Sequence, residues 1–492
     1  MACSYKKCCH CCTVSLVPTT SIILAIVFFG GFIALPIVFT TDTVRIQYGM
    51  VIDAGSSHTS LYVYAWNVST NGTGLVQQVY STSATDPLTS YAADPSTAGP
   101  NISNLVKSSS SNVKGDLNYI QLFLGATAGM RLLRDTNWTA ANRILQSIKS
   151  SLKDLQYNFI SAEIITGMEE GLYAWVTLNY LGKKVPPKGQ DISTGVLDMG
   201  GASLQIASEY NNGVAPPGGD NCSTFSVVLF GQKYSLYACS YLCYGRDRAE
   251  SRLLDYLINI QPNASIITNP CFPAQYNHTY SSSDIYDGWC VKAESGAVQN
   301  YSFSGTGNSS ACWSLVDTVF RDTIPQTVVQ IQGNFIGIST FYFAASYVYN
   351  TSNPQPISSN LDGYNSSVFN FCNTPLPSPS SSIYVGDACF NGMYTLFMLQ
   401  NVLGFGNATN WTLSFNKKVN DEDIGWTLGY MLNRTVGLQD HISTPFLVAD
   451  LVVGMIVLAI LCVVFVAFFI FTFLPCKKAI LNTHANGYSS LS

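Results

Sequence analysis

Residues 195–207 read GVLDMGGASLQIA: an apolar run ends at Asp198, turns through two glycines and resumes as an alternating strand. Residues 51–64, VIDAGSSHTSLYVY, repeat this arrangement around Asp53 and Gly55. Each stretch predicts two strands joined by a tight turn, with a carboxylate and hydroxyl groups at the tip. One Gly-rich turn is usually an ordinary hairpin, but two matching turns favour a binding site built from two halves of the protein.

The residue types at these turns are suited to a phosphate site. Glycines let the main chain approach a phosphate closely, and successive N–H groups form an anion-binding nest. Asp53 and Asp198 repel phosphate, but they can hold a hydrated divalent cation that binds phosphate oxygens. Two such turns facing each other would bind a polyphosphate from both sides. The chain lacks GxxxxGK[ST], which excludes the helix-capped Walker loop.

A third stretch, IQLFLGATAGMRLL at residues 120–133, predicts an apolar strand that passes through small residues into a helix. Gly125, Thr127 and Gly129 form the corner between them. This corner fits either a phosphate or a plain strand–helix connection, and the sequence leaves both open.

A fourth stretch, IITGMEEGLYAWVTLNYL at residues 164–181, predicts a short strand followed by a helix. The apolar stripe of this helix consists of Leu172, Trp175 and Val176. At its start, Glu169 and Glu170 have two interpretations. They either compensate the helix dipole or supply a base for a water nucleophile.

Composition limits the partners of the chain. It has 492 residues, of which 47% are apolar, so it can bury large cores. Its formal net charge is −5, with only 24 lysines and arginines. Nucleic-acid binding needs a basic surface against the phosphate backbone, so we expect no nucleic-acid partner.

Two uncharged stretches, residues 21–39 and 451–474, predict helices that cross a lipid bilayer, since each is long enough for a hydrocarbon core of about 30 Å. A cleaved signal peptide is the alternative for the first, but residues 1–20 precede it and its length argues against cleavage. Lysine pairs outside both stretches predict cytosolic tails. The expected order is a tail (1–20), a helix (21–39), an ectodomain, a second helix (446–474) and a tail (475–492).

Sequons for N-glycosylation are confined to the region between the two predicted helices, where there are fourteen. Single sequons arise by chance, but this distribution fits a glycosylated ectodomain on the outside of the plasma membrane. Their asparagines are Asn67, Asn71, Asn101, Asn137, Asn221, Asn263, Asn277, Asn300, Asn308, Asn350, Asn365, Asn407, Asn410 and Asn433.

Cysteines fall into two groups. An even set in the second half of the ectodomain predicts four disulfides. Its members are Cys222, Cys239, Cys243, Cys271, Cys290, Cys312, Cys372 and Cys389. The other group surrounds His10 and consists of Cys3, Cys8, Cys9, Cys11 and Cys12. Palmitoylation and zinc binding are both open for that group, palmitoylation being favoured, and Cys476 has the same interpretation.

Five stretches, taken in order, resemble the apyrase conserved regions of the ecto-nucleoside triphosphate diphosphohydrolases. They are DAGSSHTSLYVY (53–64), GATAGMRLL (125–133), ITGMEEGLYAW (165–175), LDMGGASLQIA (197–207) and DEDIGWTLGYML (421–432). The resemblance implies an α/β fold of the actin/Hsp70/sugar-kinase superfamily, with two RNase H-like lobes around a nucleotide cleft. Lobe I would comprise residues 40–166 and 417–445, and lobe II residues 167–416.

The resemblance also implies roles for individual residues. Glu170 would be the general base that activates a water, and Ser203 and Gln205 would position that water. Asp53 and Asp198 would hold Ca²⁺ or Mg²⁺, largely through its water shell. The expected phosphate-binding residues are Ser56, Ser57, His58, Thr127, Ala128, Gly129, Gly200, Gly201 and Ala202.

A nucleobase site and a disulfide pattern follow from the same resemblance. Tyr342, Tyr384 and Arg246 fall where side chains would hold the base, although the tyrosines could equally be core residues. The implied bridges are Cys243–Cys290, Cys271–Cys312 and Cys372–Cys389, with Cys222–Cys239 as an additional local pair. Family members usually have Thr at the position of Leu204 and often Leu at that of Met199. Because side chains alternate along a strand, Leu204 lies on the other face from Ser203 and Gln205, so we expect the change at Leu204 to alter packing and not chemistry.

The function expected from these observations is hydrolysis of extracellular nucleoside tri- and diphosphates by a two-span membrane enzyme that needs Ca²⁺ or Mg²⁺. Its partners would be the nucleotides, the bilayer and a second copy bound through the membrane helices. Three alternatives stay open: a diphosphatase of the secretory lumen, a catalytically silent nucleotide receptor, and a sugar kinase of the same superfamily. Glu170, Ser203 and Gln205 argue against the second, and the predicted membrane helices and water base against the third.

Overall fold

The computed structural model describes residues 45–442 and 457, except for 70–71, 74, 85, 186–192, 211–220, 287–289, 293–298, 324–330, 359 and 376–382. The expected membrane helices (apart from residue 457), both tails, the cysteines around His10, Cys476 and Asn71 lie outside the described residues. No helix among the described residues is long and apolar enough to cross a bilayer.

The first sheet has six strands in the part of the chain that is described. They are β1 (Arg45–Ala54), β2 (Thr59–Ser69), β3 (Gly72–Thr73), β4 (Gln77–Ala84), β5 (Gln121–Ala126) and β6 (Asn158–Ile164). The order is β3-β2-β1-β5-β6, and β4 also pairs with β2. Strands β1, β5 and β6 run parallel. The second half of β1 and nearly all of β5 are apolar and buried, as expected of strands covered on both faces, whereas β6 ends the strand order and is mostly exposed or half-buried.

Three helices belong to this part of the chain: α1 (Ala98–Ser108), α2 (Ala128–Thr136) and α3 (Trp138–Lys153). Helix α3 shows how the sequence specifies them. The Asn137 side chain caps its first turn by accepting from the Ala140 amide at 3.0 Å. Ile144, Ile148 and Leu152 recur at four-residue spacing and are fully buried, so one face of the helix covers the sheet.

The second sheet is mixed and has seven strands within the described ranges, in the order β15-β16-β14-β7-β8-β10-β9. The strands are β7 (Gly195–Met199), β8 (Ser203–Glu209), β9 (Cys222–Leu229), β10 (Gln232–Leu242), β14 (Gly333–Ser339), β15 (Ile357–Ser358) and β16 (Trp411–Phe415). Strand β14 runs parallel to β7 and β16, whereas β7, β8, β10 and β9 are successively antiparallel. Both predicted hairpins are therefore present, as β1–β2 and β7–β8.

The remaining strands form two small sheets: β11 (Ile267–Asn269), β12 (Asn277–Ser281) and β13 (Asn300–Gly305), and the pair β17 (Lys418–Val419) and β18 (Glu422–Asp423). The other helices are α4 (Gly167–Leu181), α5 (Arg246–Ile260), α6 (Ser282–Tyr286), α7 (Ser309–Phe320), α8 (Thr340–Tyr349), α9 (Asp362–Asn373), α10 (Ile383–Gly386), α11 (Ala388–Phe397) and α12 (Thr427–Ile442). The α/β class is confirmed, whereas the limits of the two lobes stay a prediction.

The eight cysteines between residues 222 and 389 form four disulfides, and the expected pairing is the one observed. The bridges are Cys222–Cys239, Cys243–Cys290, Cys271–Cys312 and Cys372–Cys389. The first joins directly opposed residues of β9 and β10. Leu204 lies in the same apolar core as several of these cysteines, as expected for a packing position, and Met199 lies in that core too.

Helix α4 buries the predicted stripe of Leu172, Trp175 and Val176, and its burial extends well beyond that stripe. All its residues from Glu170 to Leu181 are buried. Polar residues take part in this packing: the Tyr180 hydroxyl accepts from the Val76 amide at 2.6 Å, and Thr177 Oγ1 accepts from the Gly429 amide at 2.8 Å. The helix packs against β8 and β10 on one side and is covered by other segments elsewhere, so periodicity alone could not give its full burial.

Candidate active site

The neighbouring residues Glu169 and Glu170 have different surroundings. Thr166 and Glu169 form a capping box at the start of α4: Glu169 Oε2 accepts from the Thr166 amide at 2.9 Å, and Thr166 Oγ1 accepts from the Glu169 amide at 3.2 Å. A capping box satisfies two backbone donors at a helix N-terminus, so Glu169 has a structural role. Glu170 is 9% exposed and lies within a network of buried polar side chains.

Arg131, on helix α2, joins this network through both ends of its guanidinium group. Its Nη2 is 2.9 Å from Glu170 Oε2 and 3.1 Å from Ser203 Oγ, and its Nη1 donates to the Ile165 carbonyl at 3.0 Å. Arg131 and Glu170 are both buried, and charge-assisted bonds of this kind are short and directional. One side chain therefore fixes the orientation of the base candidate relative to strand β8.

Gln205 completes the network from strand β8. Its Nε2 is 2.6 Å from Ser203 Oγ, 3.3 Å from Glu170 Oε2 and 3.2 Å from Ser240 Oγ. Ser240 lies opposite Gln205 on β10. A Cβ at Gly167 would lie 1.9 Å from Ser240 Oγ, so only glycine allows α4 to begin this close to β10. The structure thus brings Glu170, Ser203 and Gln205 together as predicted.

Asp53 and Asp198 occupy equivalent places in the two hairpins, near the ends of β1 and β7. Burial raises the pKa of Asp53 to about 8 and that of Asp198 to about 7, and the negative charge of Glu170 adds to the rise at both. Hydrogen bonds oppose this effect, from Trp426 at Asp53 and from Ser339 at Asp198. Three carboxyl groups that influence one another in this way form one acidic centre.

A divalent cation would suit this centre. Asp53 Oδ1 is buried and has no hydrogen-bond partner among the described residues, which is costly unless a further group binds there. Carboxylate oxygens are the ligands that Ca²⁺ and Mg²⁺ prefer, and Mg²⁺ usually keeps several waters. Within the described ranges, no group of three or more His, Cys, Asp or Glu side chains is placed to hold an ion by itself.

The turns that were predicted to bind phosphate lie close together. The first is closed by a bond from the Gly55 amide to the His58 carbonyl at 3.0 Å, and Ser57 Oγ lies 2.9 Å from His58 Nδ1. The Gly200 amide closes the equivalent turn by donating to the Ser203 carbonyl at 3.0 Å. A Cβ at Gly201 would lie 2.8 Å from Ser56 Oγ, so the two turns face each other.

The third predicted phosphate segment, Thr127–Ala128–Gly129, is attached to the first hairpin. The Thr127 amide donates to the Ala54 carbonyl at 3.1 Å. Thr127 and Ala128 are buried, and helix α2 begins at Ala128. This corner therefore lies beside Asp53, next to the two facing turns.

The three nucleobase candidates have separate surroundings. The Tyr342 hydroxyl donates to the Ser352 carbonyl at 2.8 Å, and its ring packs against the core of the second sheet. Arg246 forms ion pairs with Asp247 and, at 3.6 Å, with Asp387. Its amide donates to the Gly200 carbonyl at 2.9 Å, so it supports the second turn. The Tyr384 side chain lies outside the described part of the structure, and the base site stays a prediction.

The sequence matches a family model over most of its length. The model is that of the GDA1/CD39 (nucleoside phosphatase) family, and it covers residues 40–444. The chain belongs to the GDA1/CD39 family. This confirms the family resemblance that the five ordered stretches predicted, and members of this family generally depend on a divalent cation.

Individual relatives agree with this assignment. Ectonucleoside triphosphate diphosphohydrolase 8 of Bos taurus is 33% identical over 422 residues, which cover 79% of this chain and 82% of that protein. Ectonucleoside triphosphate diphosphohydrolase 3 of Homo sapiens is 35% identical over 423 residues, 79% of this chain and 78% of that protein. A crystal structure of nucleoside triphosphate hydrolases from Neospora caninum has the same fold, with a TM-score of 0.65, 15% identity, and coverage of 87% of this chain and 97% of that one.

Sequence reasoning missed Arg131 and Ser240 as parts of this GDA1/CD39 site. Arg131 lies inside the GATAGMRLL stretch, but its position after a helix start indicated a surface residue as readily as a buried one. Ser240 lies in no stretch that resembles the family regions. The place of Arg131 inside one of the five family-like stretches was the signal that could have identified it. The role of Ser240 depends on which strand pairs with β8.

We expect Arg131→Lys to lower kcat by roughly 10–100-fold, because lysine keeps the charge but cannot bond Glu170, Ser203 and the Ile165 carbonyl at once. KM should change only a few-fold, since Arg131 contacts the base candidate and not the phosphate turns. Steady-state kinetics of the purified protein measure both constants. The exposed Arg143→Lys is the matched control, and an unchanged kcat in Arg131→Lys would remove Arg131 from the mechanism.

Proposed function

We propose that the chain hydrolyses nucleoside 5′-triphosphates and diphosphates to the monophosphate and inorganic phosphate. The observation that carries this proposal is the buried network of Glu170, Ser203 and Gln205 beside Asp53 and Asp198. A nucleotide receptor without activity would need the facing turns and the aspartates, but not a carboxylate and an amide oriented together. Membership of the GDA1/CD39 (nucleoside phosphatase) family supports the same reaction class.

The proposed reaction is direct attack of water on the terminal phosphorus. Glu170 accepts a proton from the water as its oxygen bonds to phosphorus, and Ser203 and Gln205 hold that oxygen in place. The bond to the bridging oxygen breaks, and the shorter nucleotide leaves with the electron pair. No covalent intermediate on the protein is needed, because placement and charge neutralisation supply most of the catalysis in phosphoryl transfer.

The remaining residues bind and orient the substrate. Backbone N–H groups of the two facing turns, together with Ser56, Ser57 and Thr127, would donate hydrogen bonds to the phosphates. A Ca²⁺ or Mg²⁺ ion held by Asp53 and Asp198, largely through water, would neutralise charge on the phosphate oxygens. Arg131 and Ser240 would keep Glu170 and Gln205 in the orientation that attack requires.

The location we propose is the outer face of the plasma membrane, with both tails in the cytosol and helices at 21–39 and 446–474. Thirteen of the fourteen sequon asparagines, all but Asn71, are described and none of the thirteen is buried, so burial argues against a glycan at none of them. Four disulfides fit an oxidising compartment. Self-association through the membrane helices is a further part of the proposal.

The deciding experiment adds ATP or ADP to intact cells that express the chain and measures phosphate release, with and without EDTA. We expect release from both nucleotides outside the cells and its loss in EDTA. Epitopes at either end should stain only permeabilised cells, and glycosidase should lower the apparent mass. Activity that appears only after permeabilisation would instead indicate the lumenal diphosphatase, and binding without phosphate release would indicate the silent receptor.

A further inference from the structure

The second of the two facing turns, residues 200–202, is held from behind by another part of the chain. This support segment, residues 243–248, leads from the end of strand β10 into helix α5. Each of the three carbonyl groups of the turn accepts a hydrogen bond from one amide of the support segment. The pairs are Arg246 with Gly200 at 2.9 Å, Asp247 with Gly201 at 2.8 Å and Cys243 with Ala202 at 2.9 Å.

These three bonds also set the direction of the amide groups in the turn. The C=O and N–H of a trans peptide lie in one plane and point in opposite directions. A carbonyl that is bonded to the support segment therefore directs the N–H of the next residue away from its donor. The N–H groups of Gly201, Ala202 and Ser203 are fixed in this way, and an anion-binding nest consists of such successive, fixed N–H groups.

Two residues of the support segment are adapted to its close approach to the turn. A Cβ at Gly245 would lie 2.4 Å from the Ser203 nitrogen and 2.5 Å from the Ala202 nitrogen, so only glycine fits there. Cys243 has a φ of 74°, a conformation that a Cβ makes unfavourable. Strained residues persist only where their surroundings fix them, and they are concentrated at functional sites.

The Cys243–Cys290 disulfide anchors the support segment. Cys243 belongs to a small apolar cluster, and Cys290 packs against this cluster. The buried members are Ala128, Leu132, Ala202 and Cys243. Ala128 comes from the third predicted phosphate segment and Ala202 from the second turn, so the bridge packs where two phosphate segments meet. The cysteines of the other three bridges instead lie in, or pack against, the core of the second sheet.

We propose that the support segment, anchored by the Cys243–Cys290 disulfide, positions the second turn for nucleotide binding. Cys243 and Gly245 are then positioning residues that act through the turn. The proposal rests on the proposed function, because it takes the turn as a phosphate site. A purely structural bridge is the competing explanation, in which the disulfide only stabilises the fold. The two explanations differ in what loss of the bridge does to nucleotide affinity.

The test removes the bridge from the full-length protein with Cys243→Ala/Cys290→Ala. We expect KM for ATP, and the dissociation constant of a non-hydrolysable ATP analogue, to rise roughly tenfold, because the N–H groups of the turn are no longer fixed before the nucleotide binds. The kcat should change by less than about threefold, since Arg131 still bonds Glu170 and Ser203. Steady-state kinetics and equilibrium binding measure these constants.

Cys271→Ala/Cys312→Ala is the matched control. Its bridge joins residues 41 positions apart in the chain, compared with 47 for the bridge under test, so the chain-entropy model gives both variants a similar loss of stability. Cys271 and Cys312 lie in the core of the second sheet and not at the turn, so KM should keep its wild-type value. Assays below the unfolding temperature of both variants compare folded proteins. Cys222→Ala/Cys239→Ala takes the place of this control if it does not fold.

Gly245→Ala tests the support segment with the bridge intact. Its methyl group would displace the backbone of Ala202 and Ser203, so KM should again rise roughly tenfold, here with a fall in kcat because Ser203 moves. Gly363→Ala is the control for this variant, because a Cβ at Gly363 would meet no atom within 4 Å.

The outcomes separate this inference from the proposed function. A wild-type KM in the variant without the Cys243–Cys290 bridge would overturn the positioning role and leave a structural bridge, and an equal rise of KM in the control bridge variant would do the same. If the variant without the bridge does not fold, Gly245→Ala decides, and an unchanged KM there overturns the role. A wild-type protein that neither binds nor hydrolyses nucleotides would instead refute the proposed function itself.

Discussion

Glu170→Gln is expected to lower kcat by roughly 10²–10⁴-fold, the range for loss of a general base. Glutamine has nearly the same size and can still accept from Arg131 and Gln205 through its oxygen, so the network should persist. It cannot accept a proton from the attacking water. Nucleotide affinity should change little, because Glu170 contacts Arg131 and Gln205 and not the phosphate turns. Phosphate release and equilibrium binding of a non-hydrolysable analogue measure the two effects separately.

Glu169→Gln is the natural control for this experiment. Glutamine also forms capping boxes, so both the helix and the activity should be almost unaffected. Loss of activity in Glu169→Gln with normal activity in Glu170→Gln would mean that the base assignment is wrong by one residue. Normal activity in both variants would place the base elsewhere and refute the proposed mechanism.

Asp53→Asn should have the next largest effect, a loss of about 10–100-fold in cation affinity with a comparable fall in turnover at limiting cation. The amide has no charge to offer a cation, and the orphaned buried oxygen of Asp53 would lose its proposed partner. Asp198→Asn should behave alike, and the exposed Asp154→Asn should not. Activity measured against Ca²⁺ and Mg²⁺ concentration tests this, and an unchanged cation requirement in both variants would contradict the cation site.

The same carboxyl groups predict a dependence on pH. Their pKa values are raised to about 8 and about 7, so a cation must displace protons at neutral pH. The half-saturating cation concentration should therefore fall as pH rises from about 6 to about 8.5. Without a cation, in EDTA, a rise in pH is expected to lower the stability of the protein. A carboxyl whose pKa is higher in the folded than in the unfolded state lowers the free energy of unfolding as pH rises, here between about 4 and about 8. Asp53→Asn should flatten that fall.

Local patterns predicted much of this site because it is built from short stretches. The hairpins at Asp53 and Asp198 follow from apolar runs interrupted by glycine, and the inward side of β8 follows from the alternation of Ser203, Leu204 and Gln205. Glu170 could be separated from Glu169 only by family resemblance, since two adjacent glutamates at a helix start look equivalent in the sequence. The capping box seen in the structure gives the physical reason for that choice.

Features that depend on distant pairing could not be predicted in the same way. Ser240 reaches Gln205 only because β10 pairs with β8, and the sequence around Ser240 does not predict this pairing. The full burial of helix α4 depends on segments far away in the chain. The positive φ of Ser339, 57°, cannot be predicted from the stretch FIGISTFYF (335–343), which indicates only a strand followed by a helix. The role of a side chain at such a position is set by its tertiary neighbours and not by the local sequence pattern.

Trp426 and helix α12, which are synthesised late, complete the packing of the first sheet. Helix α12 packs on the first sheet: Thr427 Oγ1 lies 2.7 Å from the Tyr64 hydroxyl, and the Tyr430 hydroxyl donates to Glu163 at 2.5 Å. A Cβ at Gly125 on strand β5 would collide with the Trp426 ring, so a glycine is needed there for Trp426 to pack on the first sheet. During translation, Trp426 and helix α12 are synthesised hundreds of residues after strands β1, β2, β5 and β6, against which they pack. Nascent chains that stop before Trp426 would thus expose one face of the first sheet, and the candidate active site would be complete only after residue 426 has been synthesised.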